Sequence, residues 1–535
     1  MNIKLVNIEN GIQGIGFRRV SSLVKKLHPG TKTYFVSPDN QFSLLNRIRL
    51  KSDFGLSDED LSCVADHLAD ADLLGFSLMS ENRGIAARLA AMVRSRNSRV
   101  LIVSGGAHGR IYPEDALGFS DIVCESEGEN PLTTLLQKLA AGSDYFDIDG
   151  LVFKTPKGIR RNNPARPTTK EELETLPFMD FALDNQMYHQ KSKTMAPTDT
   201  TAYLNWLGMN LNIIWTRGCP NMCAYCYNSK FINYHHGYAK LRYPSPRYII
   251  DEIKSVLTLY PFISWISFID DGMMSIKLEA LEEFAYLYSS EIGLPCLTYG
   301  THPNSVTEEK TKVLVKAGSQ FFRMGIQNLS GKVLKIYDRK TSLDRIQRSC
   351  EALAKYAPFT APPAYDVILD NAFALRPERL EHMRGLRRLP PPYILNLHSL
   401  RIVPGSTLEH NVRSYTDIEI LEGKDKNLLH PRATLFNIVH YVLSVVRLPD
   451  WAWNRLEQAC ANDEREYPRL IIIARFIYLV RRALGHILRA DFSFLSGTGV
   501  RFPYFLWKIG VLQKIQSTMQ HRLQRRLGPV APKHS

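Results

Sequence analysis

Cys219, Cys223 and Cys226 stand in a C-x3-C-x2-C array, Cys219-Pro220-Asn221-Met222-Cys223-Ala224-Tyr225-Cys226, directly after the apolar run Leu211 to Trp215. Three thiolates at this spacing can wrap a cubane iron–sulfur cluster and leave its fourth iron without a protein ligand. An iron left open in that way is a place for chemistry. A zinc site would ask for a fourth Cys or His close by, but the next cysteine is Cys296, and His235 and His236 are the nearby rivals. Three buried thiols without a metal are the third reading. With eight cysteines in 535 residues, a chance grouping of three at a strand-to-loop junction is a poor explanation.

The elements that must position this loop follow from periodicity. Ile3 to Ile8, Lys32 to Val36, Leu73 to Leu78 and Val100 to Val103 read as buried strands, and Gly16 to Leu27, Asp58 to Asp70, Arg83 to Arg96 and Asn130 to Ala141 as helices. Such alternation predicts a doubly wound, Rossmann-like parallel sheet over residues 1–141, with ligands at the carboxyl ends of its strands. Ser104-Gly105-Gly106-Ala107-His108 and Glu125-Ser126-Glu127-Gly128-Glu129 fall at those ends.

Residues 142–204 read as a connector. Ile148 to Lys154 and Gly158 to Asn162 suit a hairpin, and the polar stretch Gln190 to Thr201 suits a mobile segment. From 205 to about 420, strand and helix alternate again. Trp265 to Ile269 leads into Asp270-Asp271, Cys296 to Thr301 into His302, Phe321 to Ile326 into Gln327, Tyr365 to Leu369 into Asp370-Asn371, and Leu395 to Ile402 into Pro404-Gly405-Ser406-Thr407. This is the pattern of a partial TIM-type barrel with its site at the strands' carboxyl ends. Residues 421–535 read as helical. The fold class is thus α/β with a helical carboxyl-terminal region.

In that region, Leu470 to Leu488 is apolar, with Arg475, Arg482 and Arg489 recurring every seven residues as one basic stripe. The helix either covers its own barrel, the reading favoured here, or lies on an anionic membrane and reaches a lipid substrate.

Composition is that of a globular protein, 44% hydrophobic and 22% charged. The net charge of +14 is scattered and comes with no zinc finger or aromatic RNA-binding signature, so nucleic acid is not an expected partner. The amino terminus lacks the layout of a signal peptide, and no stretch of eighteen or more uncharged apolar residues occurs. A cytoplasmic location is expected, with peripheral membrane contact through the carboxyl-terminal helices.

The cysteine array, with Tyr225 before its last cysteine, resembles the radical S-adenosylmethionine superfamily. The resemblance implies that Cys219, Cys223 and Cys226 hold a [4Fe-4S] cluster, and that S-adenosylmethionine chelates its open iron. Reductive cleavage then gives methionine and a 5′-deoxyadenosyl radical. Tyr225, Asp270, Asp271 and Gln327 stand where the family binds S-adenosylmethionine, and a reductant such as flavodoxin or ferredoxin is implied. The string from Gly105 through Pro113-Glu114-Asp115 to Glu127-Gly128-Glu129 resembles the cobalamin-binding domain of the BchE-like class. This implies cobalamin contacts at Ser104, Gly105, Gly106, His108, Glu127 and Gly128.

The D-x-H-x-x-G motif is absent, so His108 is not assigned to cobalt. By analogy the chemistry is methylation of an unactivated carbon or phosphorus, while the catalytic residues beyond the cofactor sites stay unknown. A radical cyclase, oxidase or rearrangement enzyme without methyl transfer is the alternative, and an iron–sulfur electron-transfer or binding protein is the alternative of another class. The substrate is a small molecule, with a faint hint of a lipid or polyketide in the hydrophobic tail.

Overall fold

A computed structural model describes residues 1–9, 11–38, 55–371, 373–400, 402, 406–412 and 431–528. The chain divides into two compact units, Met1–Asn212 with Asp251–Ile263 and Ser493–Lys508, and Ile213–Ile250 with Ser264–Phe492 and Ile509–Ser535.

The first unit is built on a nine-stranded sheet. Its strands are β1 (Ile3–Ile8), β2 (Lys32–Phe35), β3 (Leu73–Leu78), β4 (Leu101–Gly105), β5 (Ile122–Cys124), β6 (Leu151–Thr155), β7 (Gly158–Arg161), β8 (Gln186–His189) and β9 (Thr194–Pro197). They lie in the order β7-β6-β5-β4-β3-β1-β2-β8-β9. The stretch from β5 through β4, β3, β1 and β2 to β8 is parallel, whereas β6, β7 and β9 add antiparallel edges. Every residue of β1 is buried, as its Ile-Lys-Leu-Val-Asn-Ile run requires of a strand covered on both faces. Helices Asp58–Leu68 and Arg83–Arg96 cover one face with Leu61, Val64, Ala86, Leu89 and Val93. Ser57 starts the first of them through a reciprocal capping box with Asp60.

The stretch expected as a connector is therefore part of this sheet. The hairpin forms as β6 and β7, and the segment expected to be mobile supplies β9 and then helix Thr200–Trp206, capped by Asp199. Polarity hides β9, because an edge strand needs only one apolar side; Met195 packs on the core while Thr194 and Pro197 are exposed.

The second sheet runs in sequence order through β10 (Asn210–Ile213), β11 (Trp265–Phe268), β12 (Cys296–Thr301), β13 (Ser319–Gln327), β14 (Ala364–Leu369) and β15 (Ile394–Ser399). Pairing from β11 to β15 is parallel throughout. Helices such as Leu278–Glu291, Glu308–Ala317 and Leu343–Ala354 connect its strands, the last two capped by Thr307 and Ser342. Sequential parallel order with helical crossovers is the topology of a partial (β/α) barrel. The Pro404-Gly405 part of the expected turn after β15 lies outside the described residues.

The helical carboxyl-terminal region packs on β15 through one long helix. In helix Pro468–Ile487, Ile471, Ala474 and Tyr478 pack inward, the Tyr478 hydroxyl donating to the Leu395 carbonyl (3.0 Å). Arg482 is on this inward side, its Nη1 3.2 Å from Asn396 Oδ1 and 3.3 Å from the Tyr478 hydroxyl, and the following Arg489 donates to the Gly485 carbonyl. Arg482 thus turns toward the protein, where Asn396 accepts from it, Arg475 is half-buried, and most of the apolar side chains turn outward.

Candidate functional site

The cysteine loop leaves β10 and is held from outside itself. Arg217 exchanges backbone hydrogen bonds with Arg242, and the Cys219 N–H donates to the Tyr238 carbonyl (3.1 Å). At its centre the Ala224 N–H donates to the Tyr337 carbonyl and the Ala224 carbonyl accepts from the Leu408 N–H, both at 2.8 Å. Cys226 is the N-cap residue of helix Tyr227–Tyr234. Gly218 must be glycine: at φ +80° a Cβ would lie 2.4 Å from the Lys240 carbonyl oxygen.

Asp270 braces the entry to the loop. Its carboxylate accepts from the Trp215 N–H (3.0 Å), the Thr216 N–H and the Thr216 hydroxyl (2.7 Å). Hydrogen bonds to a charged group contribute about 1.5–3 kcal/mol each. Complete burial still wins, pushing the carboxyl up to about 6, so the brace is ionised above that pH. Oδ1 takes these bonds, while Oδ2 has the longer contact to the Trp215 N–H (3.2 Å). The neighbouring Asp271 is exposed, and its carbonyl oxygen lies 4.0 Å from Cys219 Sγ.

Cys219 and Cys223 are buried and Cys226 half-buried. Burial raises the Cys219 thiol and pushes Cys226 up to about 12. Thiols in such a place ionise only against a strong local positive charge, which a metal supplies. Among the described residues no three Cys, His, Asp or Glu converge on one point as a single ion demands. Three thiols carried on one loop are the donor type that a [4Fe-4S] cubane takes.

Arg339 was not foreseen. It is buried, and its Nη1 donates to Cys223 Sγ (3.2 Å) and to the Tyr225 hydroxyl (2.7 Å), while Nη2 donates to the Gly325 carbonyl. Tyr225 also meets Tyr337 edge to face at 5.0 Å. Gln327 ends β13 at φ +62°, beside a register irregularity against β14, and its amide folds back over Gly325 within reach of the same guanidinium region. His302 ends the turn after β12. Its Nδ1 accepts from the Asn304 N–H, which leaves the proton on Nε2, a buried atom without a hydrogen-bond partner. Burial, then Arg339 and Arg345, push its pKa down to about 3, so the imidazole is neutral.

In the first unit, Ser104, Gly105 and Gly106 come together at the end of β4, and Glu127 and Gly128 follow β5. Gly106 has φ +81°, where a Cβ would meet the Leu78 backbone at 2.8 Å. Ser104 is buried against Ser120 (Oγ to Oγ 2.5 Å), and Glu127 accepts from the Thr168 N–H (2.8 Å). His108 is buried, with Nε2 3.0 Å from Asp115 and Nδ1 3.2 Å from Ser80 Oγ. Both ring nitrogens are taken, so His108 orders its turn and does not point to a cobalt ion.

Asn7 and Ser77, at the ends of β1 and β3, went unread. Asn7 Nδ2 is a buried donor without a partner among the described residues, and the Ser77 hydroxyl donates to Glu9 (2.8 Å). This polar rim at the switch of strand order fits a polar cofactor edge.

A doubly wound sheet with such a rim is followed in the chain by a sequential parallel sheet whose first strand leads into the three-cysteine loop. The sequence model of the Radical SAM superfamily matches residues 213–385, and that of the B12 binding domain matches residues 53–136. The chain thus carries a radical SAM domain and a B12 binding domain, and these domains imply a [4Fe-4S] cluster, S-adenosylmethionine and cobalamin. Among relatives, the uncharacterized methyltransferase PH0819 of Pyrococcus horikoshii is 25% identical over 50% of this chain, and the match spans 54% of that protein's length. The anaerobic magnesium-protoporphyrin IX monomethyl ester cyclase of Synechocystis is 22% identical over 75% of this chain and 74% of its own. The fold is shared with the cobalamin-dependent S-adenosylmethionine radical enzyme OxsB, at TM-score 0.61 and 14% identity over 98% of this chain and 83% of that one.

Proposed function

We propose that this chain is a radical S-adenosylmethionine methyltransferase acting on an unactivated carbon or phosphorus of a small molecule. The observation that carries the reading is the buried cysteine loop, shaped by the Asp270 brace and touched by Arg339. When bound, the cluster with S-adenosylmethionine supplies a 5′-deoxyadenosyl radical, and cobalamin supplies methyl-transfer chemistry.

In this reading Cys219, Cys223 and Cys226 hold the cluster. Tyr225, Asp271 and Gln327 border the S-adenosylmethionine site, with Asp271 presented to its amino group. Neutral His302, with Nε2–H unpartnered, is a candidate donor to a ligand oxygen. Ser104, Gly105, Gly106, Glu127 and Gly128 line the cobalamin site. Residues 1–141 form the cobalamin domain, 205–420 the barrel and 421–535 the helical region. A flavodoxin or ferredoxin supplies electrons, and the setting is the cytoplasm. No helix among the described residues is long and apolar enough to cross a membrane.

The methyltransferase name of the Pyrococcus relative supports methylation, and the cyclase name of the Synechocystis relative supports the non-methylating second reading. Anaerobic purification with reconstitution and hydroxocobalamin decides between them. About four irons and one cobalt per chain, with a deuterated methyl group passed from labelled S-adenosylmethionine to a product, are expected. Iron without cobalt, and a product without the label, would establish the second reading instead.

Arg339 gives a separate test. A guanidinium donating to a ligating sulfur stabilises the reduced, more negative cluster, so Arg339→Gln shifts the cluster midpoint potential downward and slows S-adenosylmethionine cleavage on the order of tenfold or more. An unchanged potential by redox titration would remove Arg339 from this role.

A further inference from the structure

The inward turn of Arg482 leaves helix Pro468–Ile487 with an unusual outer face. Ile472, Ile473, Phe476, Val480, Leu484 and Ile487 are all exposed, Phe476 at 66% and Ile472 at 63%. They recur at helical spacing on the side opposite Ile471, Ala474 and Tyr478, so they form one continuous apolar arc along a helix of about 30 Å. A contiguous apolar patch of this length on a protein surface marks a contact site. Helical spacing puts Arg475 and Arg481 at the two borders of the arc and Arg469 at its amino-terminal end, and no Asp or Glu occurs between Glu466 and Asp491.

We propose that this face is a docking surface for an anionic lipid bilayer, with the helix lying in the plane of the membrane. Its apolar arc enters the acyl boundary while the exposed Arg469 and Arg481 extend to headgroup phosphates, their stems lying along the apolar surface. Charge decides between occupants. A second copy packed through the same face would set these arginines against their own counterparts with no carboxylate on the helix to pair them. An anionic headgroup layer supplies the missing countercharge. The helix is too charged to span, and the absence of a spanning helix among the described residues agrees with a surface-lying one. This contact goes beyond the methyltransferase reading and does not rest on it; if both hold, the substrate is one that partitions into lipid.

The test is co-sedimentation of the full chain with vesicles of phosphatidylcholine alone and of phosphatidylcholine with phosphatidylglycerol, scored without cluster or cofactor. Binding to the anionic vesicles is expected, with little to the neutral ones. The double variant Ile472→Glu, Phe476→Glu should lower the partition coefficient at least about tenfold, with its thermal unfolding midpoint unchanged because both side chains point away from the fold. Equal sedimentation of the two proteins would overturn the proposal. So would a wild-type dimer by light scattering that the variant breaks, which would make a second copy the occupant.

Discussion

Cys223→Ala is expected to purify as a folded, colourless protein after reconstitution, its iron falling from about four per chain to background. Formation of 5′-deoxyadenosine should drop by on the order of a thousandfold or more. The fold survives because the loop is shaped by its backbone: the bonds from Cys219 to Tyr238 and from Ala224 to Tyr337 and Leu408 do not involve the Cys223 side chain. What is lost is a ligand and the acceptor of the Arg339 bond. Cys296→Ala is the matched control, a thiol equally buried on β12 and pushed up to about 12 by burial, which should keep its iron and lose only packing. A Cys223→Ala protein that still made 5′-deoxyadenosine at the wild-type rate would refute the cluster assignment.

Gly300→Ala should have the largest effect on stability. Gly300 sits in β12 at φ +65°, and a Cβ there would stand 1.6 Å from the Asp270 carbonyl oxygen. Left-handed strain contributes about 1–3 kcal/mol, and an overlap with backbone cannot be relieved by a rotamer change. A loss of at least about 4 kcal/mol is expected, placing it among the exceptional single substitutions. Because Asp270 also holds Trp215 and Thr216, iron uptake should fall together with the urea midpoint. Gly331→Ala, where a Cβ meets nothing and φ is ordinary, should leave both unchanged. Equal midpoints for the two variants would show that the turn after β11 yields more easily than its contacts imply.

Local chemistry was legible and distant chemistry was not. The three cysteines and Tyr225 lie within one short segment, so their spacing alone carried the argument. The strands were legible because apolar runs bounded by polar turns leave few choices; Cys296 to Thr301 was read with both of its ends. Arg339 follows helix Gly331–Ile336 and has nothing beside it in sequence to mark it, because its partners Cys223, Tyr225 and Gly325 reach it only through the fold. The Asp270 brace was hidden for another reason: a carboxylate after a strand has the same local signature whether it faces a cofactor or its own backbone. In helix Pro468–Ile487 the heptad spacing of arginines defined two faces but not which one turned inward. That depended on acceptors at Leu395 and Asn396, on another element.

The Ala224 bonds carry a consequence for how the protein is made. Their partners, Tyr337 and Leu408, are synthesised long after the three cysteines leave the ribosome, so until then the loop has only its nearer partners, Tyr238, Arg242 and Asp270, to hold it. Until the later strands arrive, the three thiols are reactive groups on an unfinished chain, open to oxidation or to scavenged metals. The expected outcome is that cluster insertion is a late step, performed on a nearly complete chain. Overproduction that outpaces iron delivery should accumulate a well-folded but oxidised apoprotein, rescued by reductant and iron without any denaturation.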